Sequence, residues 1–230
     1  MKKAGIIGGL GPASTIDYYN GIINFWISKH GADCYPEIVI DSLNMNKVVS
    51  CVENTQYNEL ADIIIDSTEH LKNAGADFAA IASNTPHIAW DKFADKTCIP
   101  VISIIDAVCS YVTEKKYNKV LIFATAFTMK NGLYDKALNS RGIPCITPSG
   151  EDIDSLGSII YPNLENGIVI KDDKQKMIQI AQKYIDRYSC DALLLGCTEI
   201  PLMIKPGDVT VPLINSTQIH IDRICAELEA

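Results

Sequence analysis

A thiol stands where packing alone does not call for one. In 191-DALLLGCTEIP-201 four apolar residues, Ala192 to Leu195, read as a buried strand, and the chain leaves it through Gly196 with Cys197, Thr198 and Glu199 at the tip. At a strand-to-helix turn a thiol meets the backbone N–H groups of the next element, a setting that lowers its pKa from the usual value of about 8.5. The sequence therefore predicts a thiol of lowered pKa at Cys197, whose thiolate can act as a base or a nucleophile. Glu199 falls in the first turn that follows and is read as a cap, since a helix N-terminus favours a carboxylate. A second tip of this kind is 81-IASNTPH-87, where Ser83, Asn84 and Thr85 offer hydroxyls, an amide and backbone donors. His87 lies one helical step further on. A hydrolase-like Ser–His pair needs a strained elbow, usually flanked by glycines, and this stretch has none, so His87 is read as a cap or a structural residue.

A third candidate is the glycine-rich turn in 5-GIIGGLGPAST-15. Such a turn after a first strand can cradle a dinucleotide pyrophosphate on a helix N-terminus. Pro12 removes an N–H from that helix, and Asp41, at the end of the next strand, comes late for a ribose-binding acid. A small carboxylate ligand near Gly11 and Thr15 fits these residues better, with a purely structural tight turn as the alternative. The other cysteines lie within or beside apolar patterns, apart from Cys34 and Cys51, and none is assigned a role. His30, His70 and His220 read as helix-surface or loop residues, and Trp26 and Trp90 as fillers of core or interface.

The elements that must position these groups alternate along the chain. Short β-rich runs, AGIIG, EIVID, DFAAIAS, PVISII, KVLIFAT, PCITP, DALLLGC and PLINS, are separated by longer segments of helical spacing. That alternation is the mark of parallel sheets with crossover helices. Pro12 and Ser14 mark one helix start, and Thr128 another, ahead of a run that stops at Gly142. Length and composition agree: 230 residues with 47% hydrophobic side chains can build a full core. A formal charge of −8 without a Lys/Arg run argues against nucleic acid or an anionic membrane as partner. The N-terminal apolar patch is too short and too broken for a signal peptide, and no run is long enough to span a bilayer. Eight scattered cysteines without a CxxC pair fit neither a disulfide scaffold nor a zinc site, and the expectation is a reduced, cytoplasmic protein.

No composition shift marks a domain boundary, but the chain echoes itself. Thr15 and Thr128 follow similar strand–turn segments at an offset of 128 − 15 = 113, and Ser83 and Cys197 end similar strands at 197 − 83 = 114. Chance matches are the bland explanation. Read as a duplication, the echo predicts two α/β halves, residues 1–103 with 209–230 and residues 104–208. Related halves would be pseudo-twofold partners with a cleft at their strand ends, where open parallel sheets place their ligands.

Taken together, GGLGPxST, xNTxH, the threonine-rich ATAFT and GCTEIP resemble the cofactor-independent (PLP-independent) aspartate/glutamate racemase family along the whole chain. The resemblance implies two α/β halves with parallel four-stranded sheets, commonly assembled as homodimers, binding a dicarboxylic amino acid without cofactor or metal. It implies two cysteines, one per half, that remove and return the α-proton from opposite faces. Cys197 then serves the L face. Gly11, Thr15, Asn84, Thr85, Thr125, Thr128 and Thr198 become substrate-binding residues.

The sequence departs from that pattern at the first cysteine, where Ser83 stands. An alcohol is a far weaker acid than a thiol and a poor base toward a carbon acid. Racemisation in an achiral medium has an equilibrium constant of one, so kcat/KM must be equal in the two directions whatever lines the site. Ser83 can therefore slow inversion both ways but cannot make it one-way. The expectation is fast α-proton exchange of an L-amino acid through Cys197 and slower inversion. The alternatives are a binding protein that has lost catalysis and an isomerase of related dicarboxylates. Few cationic groups are in view for a side-chain carboxylate; Lys47 and Lys171 are the candidates.

Overall fold

The computed structural model describes residues 1–230. Eight strands and eleven helices alternate: β1 (Ala4–Gly8), α1 (Pro12–His30), β2 (Ile38–Ser42), α2 (Met45–Glu53), α3 (Tyr57–Asn73), β3 (Phe78–Ile81), α4 (Trp90–Phe93), β4 (Val101–Ile102), α5 (Ile104–Glu114) and β5 (Val120–Phe123). There follow α6 (Ala126–Lys130), α7 (Leu133–Ser140), β6 (Cys145–Ile146), α8 (Glu151–Ile160), α9 (Lys171–Tyr188), β7 (Ala192–Leu195), α10 (Ile200–Met203), β8 (Leu213–Asn215) and α11 (Ser216–Glu229). Each of the eight apolar runs contains a strand. They form two four-stranded sheets, β2-β1-β3-β4 and β6-β5-β7-β8, in which every pairing is parallel. The second order is the first with each number raised by four. Ser83 and Cys197 follow β3 and β7, the third strand in each order, so the sequence echo coincides with equivalent strand ends.

The chain divides into two compact units, Met1–Ala107 with His220–Ala230, and Val108–Ile219. The last strand was expected with the first half. It lies instead in the second sheet, where Ile214 is in register with Leu194, and only the helical segment from His220 onward belongs to the first unit. Pairing partners are a long-range property, and the run PLINS carries no trace of which sheet receives it.

In the first unit, β1 and β3 are buried along their full length, because a central parallel strand is covered on both faces. One face presents Ala4, Ile6, Phe78 and Ala80 to Tyr18, Ile22 and Trp26 of α1 and to Ile221, Ile224 and Leu228 of α11. Burying each large side chain in such a core stabilises the fold by about 1.5–3 kcal/mol. At Gly21 of α1 an added Cβ would lie 2.6 Å from Ile221, so the two helices pack closely because this residue has no side chain. In the second unit β5 and β7 are likewise wholly buried, and α9 contributes Met177, Ile180, Ala181 and Tyr184 to the interior. The helix expected to begin at Thr128 is two helices. Thr125 caps α6, and Gly132, in the left-handed region at φ 63°, ends it before α7 begins. No helix is long and apolar enough to cross a membrane.

Candidate active site

Each unit gathers its candidate residues at the carboxyl ends of neighbouring strands. In the first unit, β1 runs into the glycine-rich turn and β3, its neighbour, into Ser83 and Asn84. Gly9 and Gly11 hold φ of 76° and 112°, values that side-chain-bearing residues rarely adopt. Thr15 ties this turn together. Its hydroxyl accepts from the Gly9 N–H at 2.9 Å and donates to the Gly11 carbonyl at 3.2 Å, and it is buried. Thr15, expected to bind substrate, thus spends its hydroxyl on the turn and takes up one of the amides an anion would have used. Ser14 donates to the Ala82 carbonyl at 2.9 Å, fastening the start of α1 to the end of β3. Ser83 is half-buried, Asn84 buried, and Thr85 opens a 3₁₀ turn.

His87 lies in that turn, buried, with Nδ1 3.2 Å from the Asn84 carbonyl. Burial pushes its pKa down to about 4, against an opposing pull from the Asn84 and Ser83 backbone, so the ring is neutral. A neutral ring with a carbonyl at Nδ1 carries its proton there, which supports the structural reading. His220 departs from expectation. It is fully buried rather than on a helix surface, between the Tyr18 hydroxyl at Nδ1 (2.8 Å) and the Ile102 carbonyl at Nε2 (3.0 Å). The carbonyl requires a donor, so Nε2 carries the proton and Tyr18 donates to Nδ1.

In the second unit the neighbours are β5, leading to Thr125, and β7, leading to Cys197. Thr125 caps α6, accepting from the Thr128 N–H at 3.2 Å, while its hydroxyl donates to that of Thr128 at 3.0 Å. Gly196 bonds to the Phe123 carbonyl, and a Cβ on it would lie 2.9 Å from the Tyr134 ring. Tyr134, fully buried, meets the hydroxyl of Ser216, which in turn donates to the Leu195 carbonyl at 2.8 Å. This brace under the tip was missed from the sequence, although a glycine immediately before the cysteine is the signal for such an approach.

Cys197 is 6% exposed, and its thiol donates to Glu199 Oε2 at 3.0 Å. Thr198 beside it is half-buried. The thiol's pKa moves opposite to the expected direction. Burial raises the thiol well above its ordinary value, the charge and hydrogen bond of Glu199 raise it further, and Glu165 adds to this; the Glu199 backbone N–H pulls the other way. The following helix is only Ile200–Met203, too short to offset burial. Glu199 also departs from its expected role, because its side chain caps nothing and turns to the thiol. Glu165, in the turn Leu164–Asn166, is raised by its own burial and by Glu199. Lys47, exposed on α2, makes no ion pair, and no group of three or more His, Cys, Asp or Glu side chains is arranged to hold a metal ion.

The two units thus end equivalent strands in different groups, an alcohol at Ser83 and a thiol at Cys197. The sequence model of the Asp/Glu/Hydantoin racemase family matches residues 7–224. The chain belongs to that family. The broad-specificity amino-acid racemase RacX of Bacillus subtilis (strain 168) is 22% identical over 93% of this chain and 92% of its own. Among solved structures, an aspartate racemase homologue from Pyrococcus horikoshii OT3 is 34% identical, with a TM-score of 0.88 over 100% of both chains. Another, described as a putative Asp/Glu racemase from Yersinia pestis, is 26% identical with a TM-score of 0.92, again over 100% of both chains. The two-unit α/β fold with four parallel strands in each is the fold of this racemase family.

Proposed function

We propose that this protein is a cofactor-independent amino-acid racemase acting on aspartate, glutamate or both. Cys197 removes and returns the α-proton of the L enantiomer, and Ser83 serves the opposite face of the carbanion. The observation that carries the reading is a buried thiol, hydrogen-bonded to a carboxylate at the end of β7, in a chain of the racemase family. Desolvation suits the chemistry. A thiolate formed in a buried site keeps its basicity, and a carbon acid of high pKa needs a strong base rather than an abundant one. The Glu199 N–H, which favours the charged sulfur, limits the cost of forming it. Asn84, Thr85, Thr128 and Thr198 supply polar groups to the substrate's carboxylates and ammonium, and backbone amides at the strand ends stabilise the carbanion's developing charge. Gly11, Thr15 and Thr125 contribute by holding the turns from which those groups project. Homodimer assembly and a cytoplasmic setting belong to the same proposal.

The test is solvent-deuterium uptake at Cα. Incubated in D2O with L-aspartate or L-glutamate and followed by proton NMR, the wild type loses the α-proton signal, and Cys197→Ala slows that loss by about 10²–10⁴-fold. D product accumulates more slowly than deuterium enters the L form. Binding without any exchange by the wild type would overturn the racemase reading in favour of a binding protein.

A further inference from the structure

The buried thiol leaves one step unaccounted for: where its proton goes before it can act as a base. Loss to solvent would set a second negative charge beside the Glu199 carboxylate, within reach of Glu165 and out of water, which explains why the thiol resists ionisation. Transfer inside the pair avoids that cost, because the single negative charge only changes place. The geometry supplies the acceptor. Glu199 Oε2 lies 3.0 Å from Sγ, its side chain is buried, it caps no helix, and it makes no ion pair that would hold it in another role.

We infer that Glu199 is the proton acceptor for Cys197: its carboxylate takes the thiol proton, and the thiolate so formed removes the substrate's α-proton. S–H and COO⁻ become S⁻ and COOH; the sulfur then takes hydrogen from Cα, leaving the electron pair on the carbanion, and the protons return by the reverse route. No oxidant or second reactant is required. Glu199 acts through Cys197 and positions a proton rather than touching the reacting carbon. The second half-step rests on the proposed racemase activity; the first does not.

The other titratable groups near the pair do not replace Glu199. Tyr134, on α7, is fully buried and pushed above its ordinary pKa, so at neutral pH its hydroxyl holds its proton. Glu165 carries a charge that acts on the thiol but has no hydrogen bond to it, and its own pKa is raised by burial and by Glu199. Of the three, Glu199 alone accepts from the sulfur.

A pair sharing one proton titrates as a unit, and its internal tautomer ratio does not depend on pH. Two pH profiles read this out. The first is modification of Cys197 in the folded protein by methyl methanethiosulfonate, quantified by mass spectrometry of its peptide. The second is α-deuterium uptake into L-aspartate and L-glutamate. In the wild type both rates are flat across neutral pH, while the pair keeps its one proton. In Glu199→Gln the thiolate forms only by loss of a proton to solvent, so both rates rise about tenfold per pH unit. At neutral pH its uptake falls by about 10² or more. Glu199→Asp, which keeps the carboxylate, retains the flat profile at a lower rate and covers the case in which the glutamine variant folds poorly. A merely structural role would scale the rate equally at every pH, so profiles of the same slope in the wild type and Glu199→Gln, both rising or both flat, overturn the inference. Thiol modification needs no substrate. A protein that shows these modification profiles yet exchanges no amino acid would retain the Glu199–Cys197 transfer and lose the racemase reading.

Discussion

At the scale of single residues, what distinguishes the two strand ends is acid strength. Cys197 and Ser83 follow equivalent strands, yet a hydroxyl is several pKa units less acidic than a thiol, and passage through the Ser83 face is the slow step of the proposed cycle. Since the overall equilibrium constant is one, a change at position 83 accelerates both directions together. Ser83→Cys is therefore expected to raise the rate of D-product formation about tenfold or more while deuterium uptake into the L substrate, governed by Cys197, changes little. The ratio of inversion to uptake, read from chiral chromatography beside the NMR signal, moves toward unity. An unchanged ratio would show that residue 83 does not handle the opposite face. Cys197 also shows what one sequence can hide about a residue. Its place on a strand tip was legible in Gly196 and the polar residues that follow. Its protonation state was not, because desolvation and the facing carboxylate arise only when Glu199 folds back onto the sulfur.

At the scale of elements, the turn after β1 depends on a side chain six positions along. The Thr15 hydroxyl satisfies the Gly9 N–H and bonds the Gly11 carbonyl, so Thr15→Val keeps the volume and leaves a buried amide without its partner. Such a loss costs about 1–3 kcal/mol. It is expected as a lower urea midpoint, with a raised KM in the exchange assay if the turn borders the substrate; an unchanged midpoint would show that the turn holds without Thr15. Elements were the most legible level of this molecule. Strands covered on both faces read as unbroken apolar runs such as 78-FAAI-81 and 192-ALLL-195, and glycines and prolines punctuate them. What local pattern could not carry was set by distant partners. β8 joins β7 rather than the first sheet, Gly132 divides α6 from α7, and His220 is buried by Tyr18 and Ile102, respectively 202 and 118 positions away.

At the scale of the whole chain, two buried histidines of the first unit make stability depend on pH below neutrality. Burial lowers His87 to about 4 and His220 to about 3, from an ordinary value of 6.5, and His87 adds to the shift of His220. As pH falls below 6.5 the unfolded chain binds protons at both rings while the folded chain does not, so acid favours unfolding, until the folded rings titrate near 4 and 3. At about 1.4 kcal/mol per unit, each histidine withdraws on the order of a few kcal/mol across that range. The carboxylates whose native pKa values are lowered, such as Asp152, Asp191 and Asp208, start from 3.8 and lose their contribution at more acidic pH, while Glu165, raised from 4.5, takes up its proton first in the folded chain and acts against the histidines at the acid end of the interval from 6.5 to about 4.5. In His220→Gln the amide can still donate to Ile102 and accept from Tyr18 but takes up no proton. Its urea midpoint is expected to fall less steeply than that of the wild type between pH 6.5 and 4.5, with the two curves closest at the acid end. Parallel curves over that interval would mean that His220 is already able to charge in the folded protein.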